Sequence, residues 1–193
     1  TRFVGIFLFP ALIVEYFYQR KLMTFNIRDA WGIILVPLGL FAFMYYLNSF
    51  SADPLAFIHT QTAFGANRSG GEIVLLPQVI FRYIKIFLTV PLTNYDFWIA
   101  LLEMISFSAV FITLLINYKK IRLSYSLFSL LVIITPTLTG TLSSMSRYVL
   151  AAFPIFIILG CLENKFIRYL LLSISLVLLT VLVSLFSQGY FVA

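Results

Sequence analysis

Charged side chains are scarce in this chain. Asp, Glu, Lys and Arg together make up 10% of its 193 residues, where a soluble domain carries about a quarter. A water-facing surface cannot be built from so few charges, and the 62% hydrophobic content and mean hydropathy of +1.04 point to an integral membrane protein. Cysteine is reduced to Cys161 alone, which excludes an intrachain disulfide. The one histidine, His59, is far from it in sequence, so a His/Cys metal site is not expected. No cofactor is identified, and dependence on a divalent metal is left open. A nucleophile triad, a phosphate loop, a paired-carboxylate motif, an internal repeat and a low-complexity tract are all missing. Acidic residues number 7 against 13 Lys and Arg, giving a net charge of +6, but the cations form no concentrated patch, so nucleic acid is not an expected partner.

What the chain does have is long apolar runs separated by short polar ones. A helix crossing the hydrocarbon needs about 20 mostly apolar residues. Stretches approaching that length cover roughly 2–18, 30–49, 97–117, 122–139, 147–162 and 166–187. The cations are sorted among the connections. Arg20, Lys21 and Arg28, then Lys119, Lys120 and Arg122, then Lys165 and Arg168 fall in every second polar run. Basic loops mark the cytoplasmic side. The expected fold is therefore an all-α polytopic transmembrane bundle of about six spanning helices. The intervening loops, with Asp53, His59, Gln61, Asn67, Arg68, Glu72, Ser143, Ser144, Ser146 and Arg147, lie on the other side, and a site on that outer face is the first functional expectation. Thr1 stands inside an apolar run with no initiator Met and no signal peptide, which predicts the C-terminal part of a longer protein whose N-terminal part is missing.

Residues 50–96 form a distinct outer-face loop with short helices. Asp53 before Pro54 predicts a helix start over PLAFIHTQTAF, ending ahead of GANRSGG. The run QVIFRYIKIFLTV, bracketed by Pro77 and Pro91, is short for a crossing. Its polar residues Gln78, Arg82, Lys85 and Thr89 recur at helical spacing, which predicts an amphipathic helix in the outer interface.

Each candidate residue carries a plain reading beside its functional one. Arg147 follows SSMS at the outer start of the helix RYVLAAFPIFIILG. A cation there opposes the helix dipole, yet helix starts attract anions and an Arg strengthens such a site, so a phosphate clamp competes with an Arg reaching for lipid headgroups. Arg68, among glycines, is a phosphate contact or part of an ordinary flexible loop. Asp53 is a helix cap more readily than a catalytic base, and Gln61 can hydrogen-bond a sugar hydroxyl. His59 is expected to be buried against the bundle. Arg82 and Lys85 suit lipid phosphates. Glu103, about 10 Å into its helix, is an intramembrane acid whose partner must lie on another helix or in a water-filled cleft. Glu15 is expected to reach the cytoplasmic interface beside Arg20 and Lys21.

In order, TRFVGIFLFPALIVEY, DPLAFIHTQTAFGANR, PQVIFRYIKIF and SMSRYVLAAFPIFIILG resemble the C-terminal half of the bacterial PIG-V-like mannosyltransferases, members of the GT-C superfamily. The most specific pieces are DPLAF with the following Gln61, and the SMSRY to FP stretch. The sequence departs from the family's habit at Phe64, where Trp is common, and at Ser146, where Pro is common. The resemblance implies a GT-C-type transmembrane domain over 1–193 with its active site on the non-cytoplasmic side of the cell membrane. It implies transfer of a hexose, usually mannose, from a polyprenyl-phosphate donor to a lipid or glycan acceptor. The catalytic carboxylate is expected in an outer loop upstream of Thr1, so no residue here is assigned as the base. Arg147 and Arg68 would hold the leaving phosphate, Arg82 and Lys85 the lipid headgroup, and Asp53 and Gln61 the sugar or its loop. A transporter or flippase of lipid-linked substrates, and a non-catalytic membrane subunit, are the alternative readings.

Overall fold

The computed structural model describes residues 3–19, 27–60 and 74–190, and these are helices joined by short turns. A 3-10 turn, Phe3–Phe7, leads into α1 (Leu8–Gln19) and is followed by α2 (Ile27–Ser51) and the single-turn α3 (Ala56–His59). Next come α4 (Leu76–Thr89), α5 (Tyr95–Asn117), α6 (Leu123–Thr137), α7 (Met145–Ala151), α8 (Pro154–Gly160) and α9 (Lys165–Ser187). No strand occurs among the described residues.

Local chemistry sets several of these limits. Asn94 caps α5 by accepting from the Asp96 amide, with Asp96 itself in the first turn, and Asn164 caps α9 through the amides of Phe166 and Ile167. Pro77 opens α4, where its missing N–H costs nothing. Pro37 leaves α2 continuous. Pro154 does not leave its helix so. The expected span 147–162 is two seven-residue helices, broken where Ala152 leaves helical geometry. The proline has no N–H to donate, and its ring conflicts with the carbonyl four residues back. Tyr125 and Phe128 of α6 pack their rings on Phe153 at the break.

Three helices are long and apolar enough to cross a membrane: Trp31–Ser51, Tyr95–Asn117 and Lys165–Ser187. Val4–Gln19 and Leu123–Thr137 are apolar but shorter. The core joins α1 and α4 to α8, with Val79, Tyr83, Phe107, Val110, Val132, Ile133, Leu142, Met145 and Ile155 closely packed. Within their membrane-length windows α2 and α9 bury no residue. Helices apolar on every side and uncovered by protein are stable in lipid, where the backbone groups are satisfied internally and the side chains meet hydrocarbon.

Contacts also fix which connections share an end. Ser144 of the α6–α7 turn hydrogen-bonds Glu103, two turns into α5. That turn therefore lies with the start of α5. At the far end of α6, Arg122 and Ser124 bond Glu15 near the end of α1, at 2.6 and 2.5 Å. The fifteen residues of α6 separate these two levels by about 22 Å. Tyr190, past the end of α9, packs on Tyr95 with ring centroids 5.1 Å apart, so α9 begins, with Lys165 and Arg168, at the level of Lys119, Lys120 and Arg122. Among the described residues, Lys119, Lys120 and Arg122 thus lie at the end of α6 opposite the α6–α7 turn. Glu15 ties α1 to α6, while Arg20 and Lys21 lie outside the described residues.

Candidate functional site at the α6–α7 turn

Residues 138–144, LTGTLSS, leave α6 and enter α7 through backbone shapes that few residues adopt readily. Gly140 has φ +87° and Ser144 φ +65°. Non-glycine residues pay roughly 1–2 kcal/mol for the left-handed region, so neighbouring contacts must over-determine this turn. They come from side chains on α4 and α5. Arg82 donates from Nη1 to the Gly140 carbonyl at 3.0 Å. The Leu142 amide donates to the Tyr83 hydroxyl at 3.0 Å, and that hydroxyl donates to Glu103 Oε2 at 2.6 Å. The Ser144 amide donates to Glu103 Oε1 at 3.1 Å. Below them, the Val74 amide donates to the Leu138 carbonyl. Glu103 is 6% exposed and Tyr83 5%, and bonds to a buried carboxylate are worth about 1.5–3 kcal/mol each. Burial, and then the charge of Glu103, push the Tyr83 phenol well above its ordinary range, so it remains a hydrogen-bond donor.

Among the expected site residues, this turn brings together Arg82 and the segment bearing Arg147. Arg147 is exposed in the first turn of α7 and makes no hydrogen bond or ion pair among the described residues. The helix behind it is seven residues long, not the long span expected, so its dipole is a weak attraction for an anion and the guanidinium charge is what remains. The buried hydroxyls of Thr141 and Ser146, like those of Ser126 and Ser129 on α6, have no hydrogen-bond partner among the described residues. Polar groups left so are uncommon enough to require a reason.

α4 presents three faces. Val79 and Tyr83 enter the core, Phe81, Ile84 and Leu88 are exposed apolar residues, and Gln78, Arg82, Lys85 and Thr89 form the polar stripe. An apolar stripe uncovered by protein beside a cationic one suits a helix lying at a lipid–water boundary.

Asp53 lies apart from the turn. It accepts from the Leu55 amide at 2.9 Å and pairs with His59 Nδ1 at 2.7 Å, so it organises the entry to α3, which begins two residues later than Pro54 suggests. The hydrogen bond from His59, then that from Leu55, holds its carboxyl below the usual range. His59 is not buried against the bundle: its side chain is 57% exposed. A carboxylate six residues away satisfies it, so it has no need of the core. Arg68, Gln61 and Phe64 lie outside the described residues, and so does the end of the helix expected over 54–64.

Tyr83 is the residue that sequence reasoning passed over. Its position four residues after Val79, on a face distinct from the polar stripe, was the available sign: a tyrosine on a core-facing stripe needs a partner for its hydroxyl. Glu103 was singled out, and its partner does lie on another helix. No group of three or more His, Cys, Asp or Glu suited to a metal occurs among the described residues. No family model, curated protein or solved structure matches this chain.

Proposed function

We propose that this chain is the phosphate-binding, C-terminal part of a membrane glycosyltransferase of the GT-C type. It would move a hexose, mannose by the sequence resemblance, from a polyprenyl-phosphate donor to a lipid or glycan acceptor on the non-cytoplasmic face of the cell membrane. One observation carries the reading. The cations Arg82 and Arg147 and the hydroxyls of Thr141 and Ser146, which have no partner among the described residues, collect around one turn, at the end of α6 opposite Lys119, Lys120 and Arg122. In this reading six crossings form the bundle, with α7 and α8 making the fifth in two pieces, and α4 lies in the outer interface.

The chemistry follows from what each group can do. As the acceptor hydroxyl attacks the anomeric carbon, a carboxylate outside this chain takes its proton. The bond to the lipid phosphate breaks, and charge grows on the departing oxygens. Arg147 stabilises that charge, a role shared with Arg68, while Arg82 and Lys85 hold the headgroup level with the turn. Asp53 and Gln61 shape the loop that meets the sugar.

Transfer of radiolabelled mannose from a polyprenyl-phosphate donor by the full-length protein in membranes is the test. Arg147→Ala is expected to lower turnover by roughly a hundredfold or more without lowering thermal stability. Wild-type turnover in that variant would remove the phosphate role. The flippase reading draws on the broken α7–α8 pair, since interrupted helices build transport sites. It predicts translocation of a lipid-linked sugar across a sealed vesicle with no new glycosidic bond.

A further inference from the structure

We infer that Glu103 and Tyr83 are positioning residues for the lipid phosphate: a buried latch that sets the shape of the 138–144 turn, and through it the placement of Arg147, without touching the ligand. This deepens the functional reading above and rests on it.

Three features argue for a latch over an ordinary buried contact. First, the bonds converge on one short stretch of backbone. The Gly140 carbonyl, the Leu142 amide and the Ser144 amide are each held by a side chain from outside the α6–α7 unit. Second, the chain is held in conformations it would not choose. Ser144 carries a left-handed φ of +65°, and its amide is the group Glu103 grips. Release of that grip lets Ser144 return to an ordinary conformation, which swings the start of α7. Third, the two holding side chains are linked, because the Tyr83 hydroxyl accepts from Leu142 while donating to Glu103. Loss of either one therefore disturbs both amides.

A carboxylate is suited to this post. It accepts from two donors at once, one on each oxygen, which neither an apolar residue nor an amide reproduces. Gln at position 103 keeps one acceptor for the Ser144 amide but turns an NH2 toward the Tyr83 hydroxyl, whose own proton then lacks an acceptor. Glu103→Gln is thus a half-latch, Glu103→Leu a removed latch, and Tyr83→Phe a latch cut from the Leu142 side. Arg147 keeps its charge in all three.

The experiment uses the full-length protein in detergent with sugar-free polyprenyl phosphate as the probe. It reads binding capacity and dissociation constant separately, beside hydrogen exchange at the Leu142 and Ser144 amides. A contact that only stabilised the fold would reduce the number of competent molecules and leave the dissociation constant unchanged. The latch predicts the opposite: full capacity in the folded fraction, exchange faster at both amides, and binding weaker by about tenfold or more in Tyr83→Phe, a loss of ~1.4 kcal/mol. Glu103→Gln is expected to fall between Tyr83→Phe and wild type, which separates positioning from misfolding even if Glu103→Leu does not fold. Unchanged dissociation constants in Tyr83→Phe and Glu103→Gln, with Arg147→Ala defective, would overturn the positioning role while sparing the functional reading. Unaltered exchange at both amides would overturn the latch itself. If wild-type protein does not bind polyprenyl phosphate, the functional reading fails and the proposal falls with it.

Discussion

Gly140 and Ser144 share left-handed backbone geometry but not its cost. At Gly140, a Cβ would stand 3.0 Å from Arg82 Nη1 and 3.1 Å from Val74 Cγ2, on a backbone with φ +87°. Gly140→Ala should therefore destabilise the protein by about 1–2 kcal/mol from backbone strain alone, with the Arg82 bond to the same residue displaced as well. Ser144 meets the same strain with a side chain in place. Ser144→Gly should raise the thermal midpoint or leave it unchanged, because the Ser144 amide still donates to Glu103. A drop comparable to that of Gly140→Ala would show that the Ser144 side chain, not its backbone, holds the turn. Tyr83→Phe strands the Leu142 amide in a buried setting and takes one donor from Glu103. Its cost should reach roughly 2 kcal/mol or more by denaturant unfolding. None of these effects was legible in composition. Glu103 stood out because an acid two turns into an apolar helix is anomalous, whereas Tyr83 was one of 11 tyrosines until its hydroxyl had a neighbour.

Whole elements are joined by a few polar ties. Glu15 links α1 to the start of α6 through Arg122 and Ser124, and its side chain is 15% exposed against 58% for Arg122. Glu15→Ala should cost more than Arg122→Ala, about 1–3 kcal/mol against less than ~1 kcal/mol, because removing the acid takes the acceptor from Ser124, Arg122 and Gln19 and strands the buried Ser124 hydroxyl, whereas removing the cation leaves the Ser124 and Gln19 bonds intact. Equal losses would mean that the exposed ion pair carries the contact. Asp53 instead organises the entry to α3, through the Leu55 amide and His59. Its carboxyl titrates below the usual range, so its stabilising effect is complete above that range and is lost only as pH falls through the lowered value. The Leu55 amide resonance should accordingly stay constant from neutral pH down to the ordinary carboxylate range and move only below it. Movement at higher pH would break the link to Asp53. Helix starts such as Asn94 and Asn164 were open to reading from residue type. The break at Ala152 followed from Pro154, but α2 tolerates Pro37 unbroken, so proline alone does not locate a break.

Across the whole molecule, two ends of unlike chemistry make orientation testable. Cys161 is exposed just beyond α8, ahead of the cationic start of α9. Thr93 is exposed in the turn before α5. In intact cells a membrane-impermeant thiol reagent should label Thr93→Cys, made in a Cys161→Ser background, and spare Cys161 in the wild-type protein. The reverse pattern would invert the bundle and move the turn and its arginines to the cytoplasmic side.

Helical character, the membrane setting and the sorting of cations into alternate loops were determined by the sequence, since each depends on counts and spacing along the chain. Three helices of membrane-crossing length and composition, Trp31–Ser51, Tyr95–Asn117 and Lys165–Ser187, match to within two residues runs that hydropathy alone marks out. What holds the 138–144 turn was decided only by the fold. Tyr83 and Leu142 are separated by 59 residues and Glu103 and Ser144 by 41. Hydrogen bonds require donor and acceptor within about 3 Å, a condition that neither periodicity nor composition can express and that only packing α4 and α5 against the turn fulfils.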